Sequence, residues 1–449
     1  MASANLSRTQ GTATNRNIFT VSMWVKQSKL GSQTNAHQYM DFYASADLRI
    51  SIYQMNSDQI AIYMKGGGYA DNIFYTTAKY RDTSAWYHFV WRFDTTQSTA
   101  ADRVRMYVNG VQETDFVSSN FPSQNFNLQQ GTSSYTQYVG RYGGNTNNNF
   151  DGQMAHVHFT DGYSYGPTTF GEADATTGIW KPKTAPSVTY GTNGFFLKFD
   201  NSANMGLDSS GNSNNLTTSG TIIQVPDTPS NIFATINPLD NKYFQGTFSN
   251  INNTVASHSS TYGLCTSSLG MSKGKYYVEA KLSSGTTALF GVSGNVATSD
   301  TNSLGAGAGL GVGVQNTGRL RQEGTNTDSW SSTYTTNDIL QIALDLDNNK
   351  FYFGINGTYQ NSGNPSTGAN GLTILAPSTT ATGFYFFSFS DSNSTGSSTF
   401  QYNFGQGFFG TTAVASAQTP DDGIGVFEYD PPTGYRALCT KSLNAQEYS

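Results

Sequence analysis

The residues able to do chemistry are thinly spread in this sequence and gather most densely between Tyr138 and Gly152. There a strand end, Tyr138-Val139-Gly140-Arg141-Tyr142, runs into the amide-rich stretch Gly143-Gly144-Asn145-Thr146-Asn147-Asn148-Asn149 and on to Phe150-Asp151-Gly152. Uncharged amides offer donors and acceptors side by side, and a ring face covers the apolar C–H face of a polyol. Tyr142, Asn145 and Asn147 are therefore the candidate ligand-binding residues here, for a neutral polyol. A solvated loop without a ligand accounts for the same composition. A fourth candidate is Trp330, in Asp328-Ser329-Trp330-Ser331-Ser332, because an indole in a polar loop often marks a contact site.

Other motifs carry less. His156 and His158 sit two apart on a strand and so share a face, but no Cys, Asp or Glu completes a metal set, and they read as two histidines on a polar strand face. Gly305-Ala306-Gly307-Ala308-Gly309-Leu310-Gly311-Val312-Gly313-Val314 contains no Gly-x-Gly-x-x-Gly window, so its glycines are expected to alternate along a strand against a close backbone. Asp345, Asp347 and Asn349 mimic the start of an EF-hand loop, yet Lys350 replaces the required glycine and Asn356 the bidentate Glu. Cys265 and Cys439, the only cysteines, read as two reduced, buried thiols. No metal site and no cofactor is expected from these residues.

The elements that must position these groups are strands. Phe19, Val21, Met23 and Val25 alternate with Thr20, Ser22, Trp24 and Lys26, the pattern of a half-buried strand, and the same period recurs over 48–53, 60–64, 86–93 and 104–108. Asn109-Gly110 is the strongest hairpin signal. Aromatic residues make up 14% of the 449 and charged residues only 12%, so the surface must be built from uncharged polar groups. The net charge of −6 comes without a basic cluster, which excludes the electrostatic term that dominates nucleic-acid binding. The start, Met1 to Arg8, has no apolar core for secretion, and no run of about 18 apolar residues occurs, so no membrane insertion is expected.

Three prolines, Pro226, Pro229 and Pro238, stop regular structure in one short stretch. The expected organisation is therefore all-β: a sandwich over 1–224, a stiff connector over 225–244, and a second sandwich with a C-terminal tail over 245–449.

The order Phe19-Thr20-Val21-Ser22-Met23-Trp24-Val25-Lys26, Trp86-Tyr87-His88-Phe89-Val90, Val104-Arg105-Met106-Tyr107-Val108-Asn109-Gly110 and Phe150-Asp151-Gly152-Gln153-Met154-Ala155 resembles the concanavalin A-like, laminin-G-like sandwich family. His158-Phe159-Thr160-Asp161-Gly162, Gly178-Ile179-Trp180-Lys181-Pro182 and Asp208-Ser209-Ser210-Gly211-Asn212 resemble a version frequent in virion proteins of tailed phages, marine ones especially. This resemblance implies a jelly-roll of two antiparallel sheets and an ancestry of lectins and glycan hydrolases. The hydrolases' Glu-x-Asp-x-x-Glu is missing: Glu113-Thr114-Asp115 is followed by Ser118 where the second Glu belongs, so no catalytic residue is expected and the chain is read as no enzyme. Some relatives bind Ca²⁺ through loop oxygens, and Asp208 to Asn212 has that alternation; a turn satisfied by its own side chains explains it equally well.

Gly274-Lys275-Tyr276-Tyr277-Val278-Glu279, the Asp345-Leu346-Asp347 hairpin and Asn403-Phe404-Gly405-Gln406 resemble a SPRY domain. That implies a second bent sandwich that recognises partners through loops at one end. Taken together the resemblances imply a virion structural protein (fibre, spike, or capsid or tail decoration) on the exterior of the particle, binding a host-surface glycan non-covalently and docking to other virion proteins. Analogy with fibre proteins adds a homotrimer. The alternatives are a polysaccharide-degrading hydrolase and a purely architectural protein.

Overall fold

β-Branched and aromatic residues at every second position, punctuated by Asn, Gly and Ser, give strands joined by short turns. The computed structural model describes residues 4–30, 36–66, 72–128, 130, 132–145, 147–391 and 396–447; Met1–Ser3 and Thr146, both part of the sequence reading, lie outside the described residues. The chain divides into two units, Met1–Gln224 and Val225–Ser449.

The first unit's strands are β1 (Asn5–Thr9), β2 (Ile18–Gln27), β3 (His37–Ser45), β4 (Leu48–Gln54), β5 (Ile60–Lys65), β6 (Asn72–Thr76), β7 (Tyr87–Asp94) and β8 (Val104–Val108). They continue as β9 (Val111–Glu113), β10 (Phe116–Ser119), β11 (Thr136–Val139), β12 (Gly152–Asp161), β13 (Gly171–Ala173), β14 (Trp180–Pro182), β15 (Phe195–Leu197) and β16 (Thr217–Ser219). Among the described residues they form an eight-stranded antiparallel sheet, β10-β6-β5-β4-β3-β11-β1-β16, and a six-stranded one, β15-β12-β2-β7-β8-β9, with β13 and β14 as a separate hairpin. Phe19, Val21, Met23 and Val25 from one sheet meet Met40, Phe42, Ile50, Ile52, Ile60 and Ile62 from the other in one core. Each such side chain contributes roughly 1.5–3 kcal/mol on burial. The Asn109-Gly110 turn joins β8 to β9 with both residues at positive φ, 48° and 85°.

β2 is not half-buried. Its second face, Thr20, Ser22, Trp24 and Lys26, is buried as well. Trp24 stacks on His88 at 4.7 Å, and His88 is capped by Trp180 of β14, whose Nε1–H donates to His88 Nδ1 at 2.9 Å. Nδ1 is thus the acceptor, so Nε2 carries the proton toward Ser22 Oγ, 2.9 Å away. Burial lowers His88 to about 3 and keeps it neutral. The alternation in the sequence marks the inner face correctly and is silent on a cover supplied by a segment remote in the chain.

The second unit's strands are β17 (Thr247–Ser249), β18 (Thr254–Ala256), β19 (Leu264–Thr266), β20 (Lys275–Ser284), β21 (Ala288–Ser293), β22 (Val312–Gln315), β23 (Leu320–Gln322), β24 (Thr325–Thr327), β25 (Ile339–Asp345) and β26 (Lys350–Ile355). After them come β27 (Thr358–Tyr359), β28 (Leu372–Thr373), β29 (Phe386–Asp391), β30 (Thr399–Asn403), β31 (Phe408–Phe409), β32 (Thr412–Ala413), β33 (Arg436–Ala437) and a helix, Thr440–Glu447. One sheet runs β17-β18-β30-β20-β25-β26-β27, with β28 beside β26 and β33 beside β20; the facing sheet runs β19-β29-β21-β22-β23-β24. Of the Gly-rich run only Val312 to Val314 is strand; Gly305, Gly309 and Gly311 take positive φ in turns.

Part of the stretch expected as a connector belongs to this unit. Phe233, Ala234 and Ile236 are fully buried in it, and Ala234 N–H donates to Leu438 O at 2.9 Å. The prolines interrupt hydrogen-bonding there without freeing the chain, because the apolar residues between them have a core to enter. The C-terminal stretch is no loose tail either: Phe427, Tyr435, Ala437 and Cys439 cover Tyr277, Ala343 and Tyr352 on the outer face of the larger sheet. Glu279 fastens it. Its carboxylate, buried in β20, accepts from Tyr277 Oη (3.0 Å), Asn403 Nδ2 (3.2 Å) and the backbone N–H of Glu428 and Tyr429 (both 2.8 Å). Cys265 and Cys439 are free, buried and in separate clusters.

Candidate functional site

With Ile50, Ile52, Ile60, Ile62 and Met64 committed to the core of the first unit, the alternate positions of β4 and β5 face away from it. The register then assembles three rows across the outer face of the eight-stranded sheet. Tyr138, Asp41, Ser51 and Tyr63 pair across β11, β3, β4 and β5; Thr136, Tyr43, Arg49 and Lys65 form the next row; Gln38, Tyr53 and Ala61 the third, reaching Tyr75 on β6. Such cross-strand neighbours stand about 4.5–5.5 Å apart and act as one surface. Its tyrosines are half-buried.

The amide-rich loop folds onto this surface. Arg141 and Asn149 close it with an isolated bridge, and Tyr142 N–H donates to Asn148 O at 3.0 Å. Gly143 and Gly144 let it lie flat. A Cβ on Gly143 would stand 2.4 Å from Tyr43 Cγ, and one on Gly144 2.6 Å from Tyr142 Cε1. Beneath the loop Asp41, 0% exposed, accepts from Gly143 N–H and from Ser51 Oγ, each at 2.7 Å. Burial pushes its carboxyl up to about 7, against the pull of these two hydrogen bonds and of Arg49.

Tyr142 is thereby brought over Arg49. The guanidinium lies between two rings, 4.6 Å from the centroid of Tyr63 and 4.7 Å from that of Tyr142, and it also donates to Tyr142 Oη. Tyr43 meets Tyr142 edge-on at 5.5 Å. A cavity of about 210 Å³ opens here, lined by Ala36, Gln38, Arg49, Ser51, Tyr53, Tyr142 and Asn148. That is below the ~300–1,000 Å³ of drug-sized pockets and suits one small ring. No carboxylate is among the residues lining it.

Of the sequence candidates, Tyr142 lines the cavity. Asn145 is exposed, and its Oδ1 accepts from Asn147 N–H (2.9 Å) and Asn148 N–H (3.3 Å), so it builds the loop that presents Tyr142. Asn147 is exposed on the same loop. Trp330 is half-buried in the other unit, where it packs against that unit's core. The residues that sequence reasoning missed are Arg49, Ser51, Tyr53 and Tyr63. Their signal was present as the off-core half of two strands already recognised, Leu48-Arg49-Ile50-Ser51-Ile52-Tyr53 and Ile60-Ala61-Ile62-Tyr63.

The remaining candidates are held by their own surroundings. His156 takes φ 47° at an irregularity in β12, and its ring lies 6.4 Å from that of His158. His158 is buried, stacked on Phe196 at 3.9 Å and bonded through Nδ1 to Tyr190 Oη at 2.9 Å, so the strand face expected to be polar is covered by rings. Asp208 spends Oδ1 on the N–H groups of Phe196 (2.9 Å) and Ser210 (2.8 Å) and Oδ2 on Ser210 Oγ and Asn214 N–H, both 2.8 Å. Among the described residues no group of three or more His, Cys, Asp or Glu could hold a metal.

The family model of the concanavalin A-like lectin/glucanases superfamily matches residues 2–163. Residues 2–163 carry a concanavalin A-like, laminin-G-like domain. Solved structures similar to the chain include the SPRY domain of human HERC1, with 16% identity, covering 37% of this chain and 96% of that one at a TM-score of 0.28. Domain 4 of AbnA, a GH43 extracellular arabinanase from Geobacillus stearothermophilus in complex with arabinotriose, has 20% identity over 34% of this chain and 64% of that one, TM-score 0.26. A candidate carbohydrate-binding protein from Bacteroides ovatus has 18% identity over 49% of this chain and 57% of that one, TM-score 0.30. The chain thus spans less than two thirds of the last two. No curated protein matches it. Values this low transfer no function.

Proposed function

We propose that this chain recognises a carbohydrate without cleaving it, as a structural protein on the exterior of a tailed-phage virion, where the glycan is that of the host surface. The observation that carries the reading is the groove on the outer face of the eight-stranded sheet: rings of Tyr53 and Tyr142, the amides of Gln38 and Asn148 and the hydroxyl of Ser51 surround a space for one small ring. Rings cover the C–H face of a sugar, the Asn148 amide can serve its hydroxyls, and Gln38 and Ser51, whose N–H and O–H groups go to Met40, Ile52 and Asp41, can only accept from them. Hydrolysis on such a fold uses two carboxylates about 5–9.5 Å apart flanking the bond, and this groove offers none along its lining.

One shallow groove binds weakly. Display in several copies, as a homotrimer docked to other virion proteins, raises avidity without new contacts, because each further engagement is intramolecular. No calcium or other cofactor enters this mechanism. The test is to mix the purified protein with intact host cells and with their extracted polysaccharide while monitoring reducing ends. Saturable binding without release supports the reading. Release of reducing ends would make the chain a hydrolase, and absence of binding would leave an architectural role within the particle.

A further inference from the structure

We propose that the groove selects an acidic saccharide, with the carboxylate of a uronate-type sugar pairing with Arg49. This rests on the reading of the groove as a saccharide site and narrows its ligand from the neutral polyol that the loop's composition suggests. The argument begins with where the charges nearby are spent. Lys65, beside Arg49 in the register, is paired with Asp47 at 2.8 Å. Asp41 lies under the loop and is taken by Ser51 and Gly143. Arg141 is turned to the ring of Tyr138, 5.4 Å away. Among the described residues Arg49 makes no ion pair, and its Nε–H is buried without an acceptor.

A guanidinium that lines a cavity and has no carboxylate partner can offer the N–H groups it turns to that space to a ligand's carboxylate. Here it is also held still. The two flanking rings fix its plane, which removes much of the rotamer entropy an arginine loses when it grips a planar oxyanion. A carboxylate is the planar partner that an arginine fork matches in bidentate fashion. Beside it the Asn148 amide can serve the hydroxyls of the same sugar ring, while Gln38, whose NH₂ donates to Met40 O and Ile52 O, and Ser51, whose hydroxyl donates to Asp41, are left only as acceptors.

The experiment measures binding of the full chain to polygalacturonate and to the same polymer after reduction of its carboxyls to primary alcohols, with dextran sulfate as a polyanion lacking carboxylates. The expected result is that wild type prefers polygalacturonate over its reduced form by at least about tenfold (about 1.4 kcal/mol), and prefers it over dextran sulfate. Arg49→Met, which keeps the length and apolar packing between the rings, brings the acid-to-reduced ratio to about one; Arg49→Lys restores part of it. Because the ratio is taken within each variant, a misfolded protein, which loses both ligands, is told apart from one that lost selectivity. Equal binding of both polymers by wild type, an undiminished ratio in Arg49→Met, or tighter binding of dextran sulfate would overturn the proposal while leaving a saccharide or polyanion site. Failure to bind any saccharide, across these polymers and neutral dextran, would overturn the reading of the groove itself.

Discussion

Replacing Asp41 by asparagine separates the electrostatic cost of the loop anchor from its hydrogen bonds. Asp41 is fully buried, and its carboxyl is pushed from the ordinary 3.8 up to about 7 by burial. A carboxyl raised on folding binds its proton more tightly in the folded state, so its stability contribution is complete below the unfolded value and is lost as pH rises through the folded one. The window is therefore about pH 4 to 7. Three units correspond to about 4 kcal/mol, taken as an upper bound. The substituted side chain would keep both partners, its oxygen accepting from Gly143 N–H and its amide donating to the rotatable Ser51 hydroxyl. Asp41→Asn is thus expected to match wild type near pH 4 and to exceed it by up to about 4 kcal/mol at pH 8. Four of the five tryptophans, Trp24, Trp86, Trp91 and Trp180, lie in the first unit, so urea unfolding followed by tryptophan fluorescence reads this unit. A gap between variant and wild type that stays constant from pH 4 to 8, or a wild type that gains on the variant as pH rises, would refute the reasoning.

The same carboxyl gives a binding prediction: as Asp41 becomes neutral the field of Arg49 is opposed by one charge fewer, so polygalacturonate binding is expected to tighten on the order of fivefold from pH 8 to pH 6, with no such change in Asp41→Asn. Gly143→Ala places a methyl group against Tyr43 and lifts the loop, and saccharide affinity measured by calorimetry should fall at least about tenfold while the core of the unit still melts cooperatively. In the second unit Glu279→Leu removes the acceptor of all four donors; hydrogen exchange of the strand Lys275–Ser284 should report a loss of at least about 3 kcal/mol, and a loss under about 0.5 would mean that this carboxyl does not fasten the C-terminal segment. Trp330→Ala is expected to cost that unit about 2 kcal/mol through lost packing and to leave saccharide affinity unchanged; reduced affinity at unchanged stability would restore Trp330 as a contact residue.

The inner half of each strand was legible because burial on one face imposes a period of two, and the core residues Phe19, Val21, Met23 and Val25 follow directly from it. The outer half was not legible, since what covers a face depends on long-range packing. Trp24 lies on the face of β2 that the pattern left outside the core, and it stacks on His88, which Trp180 caps. Asn403 and Glu279 stood out in the sequence only as parts of a family resemblance; the structure gives them a shared task, with Asn403 Oδ1 accepting from Gly405 and Gly407 N–H, each at 3.0 Å, while its amide donates to Glu279. At the site, Tyr142 and the loop were found from composition, whereas Arg49 was hidden because one arginine on a strand has no signature until the register sets it between Tyr63 and Tyr142. Prolines 226, 229 and 238 marked the neighbourhood of the division, but Phe233 and Ile236 between them are core residues of the second unit.

The claim that a saccharide is held on the outer face of the eight-stranded sheet is tested most directly by hydrogen exchange of the full chain with and without saturating polygalacturonate, reducing ends being followed in the same samples. The account expects slowed exchange in peptides spanning 48–65 and 138–150, no comparable change in the second unit, and no release of reducing ends. Protection confined to the loop around Trp330, or to neither region while the polymer is bound, would contradict it.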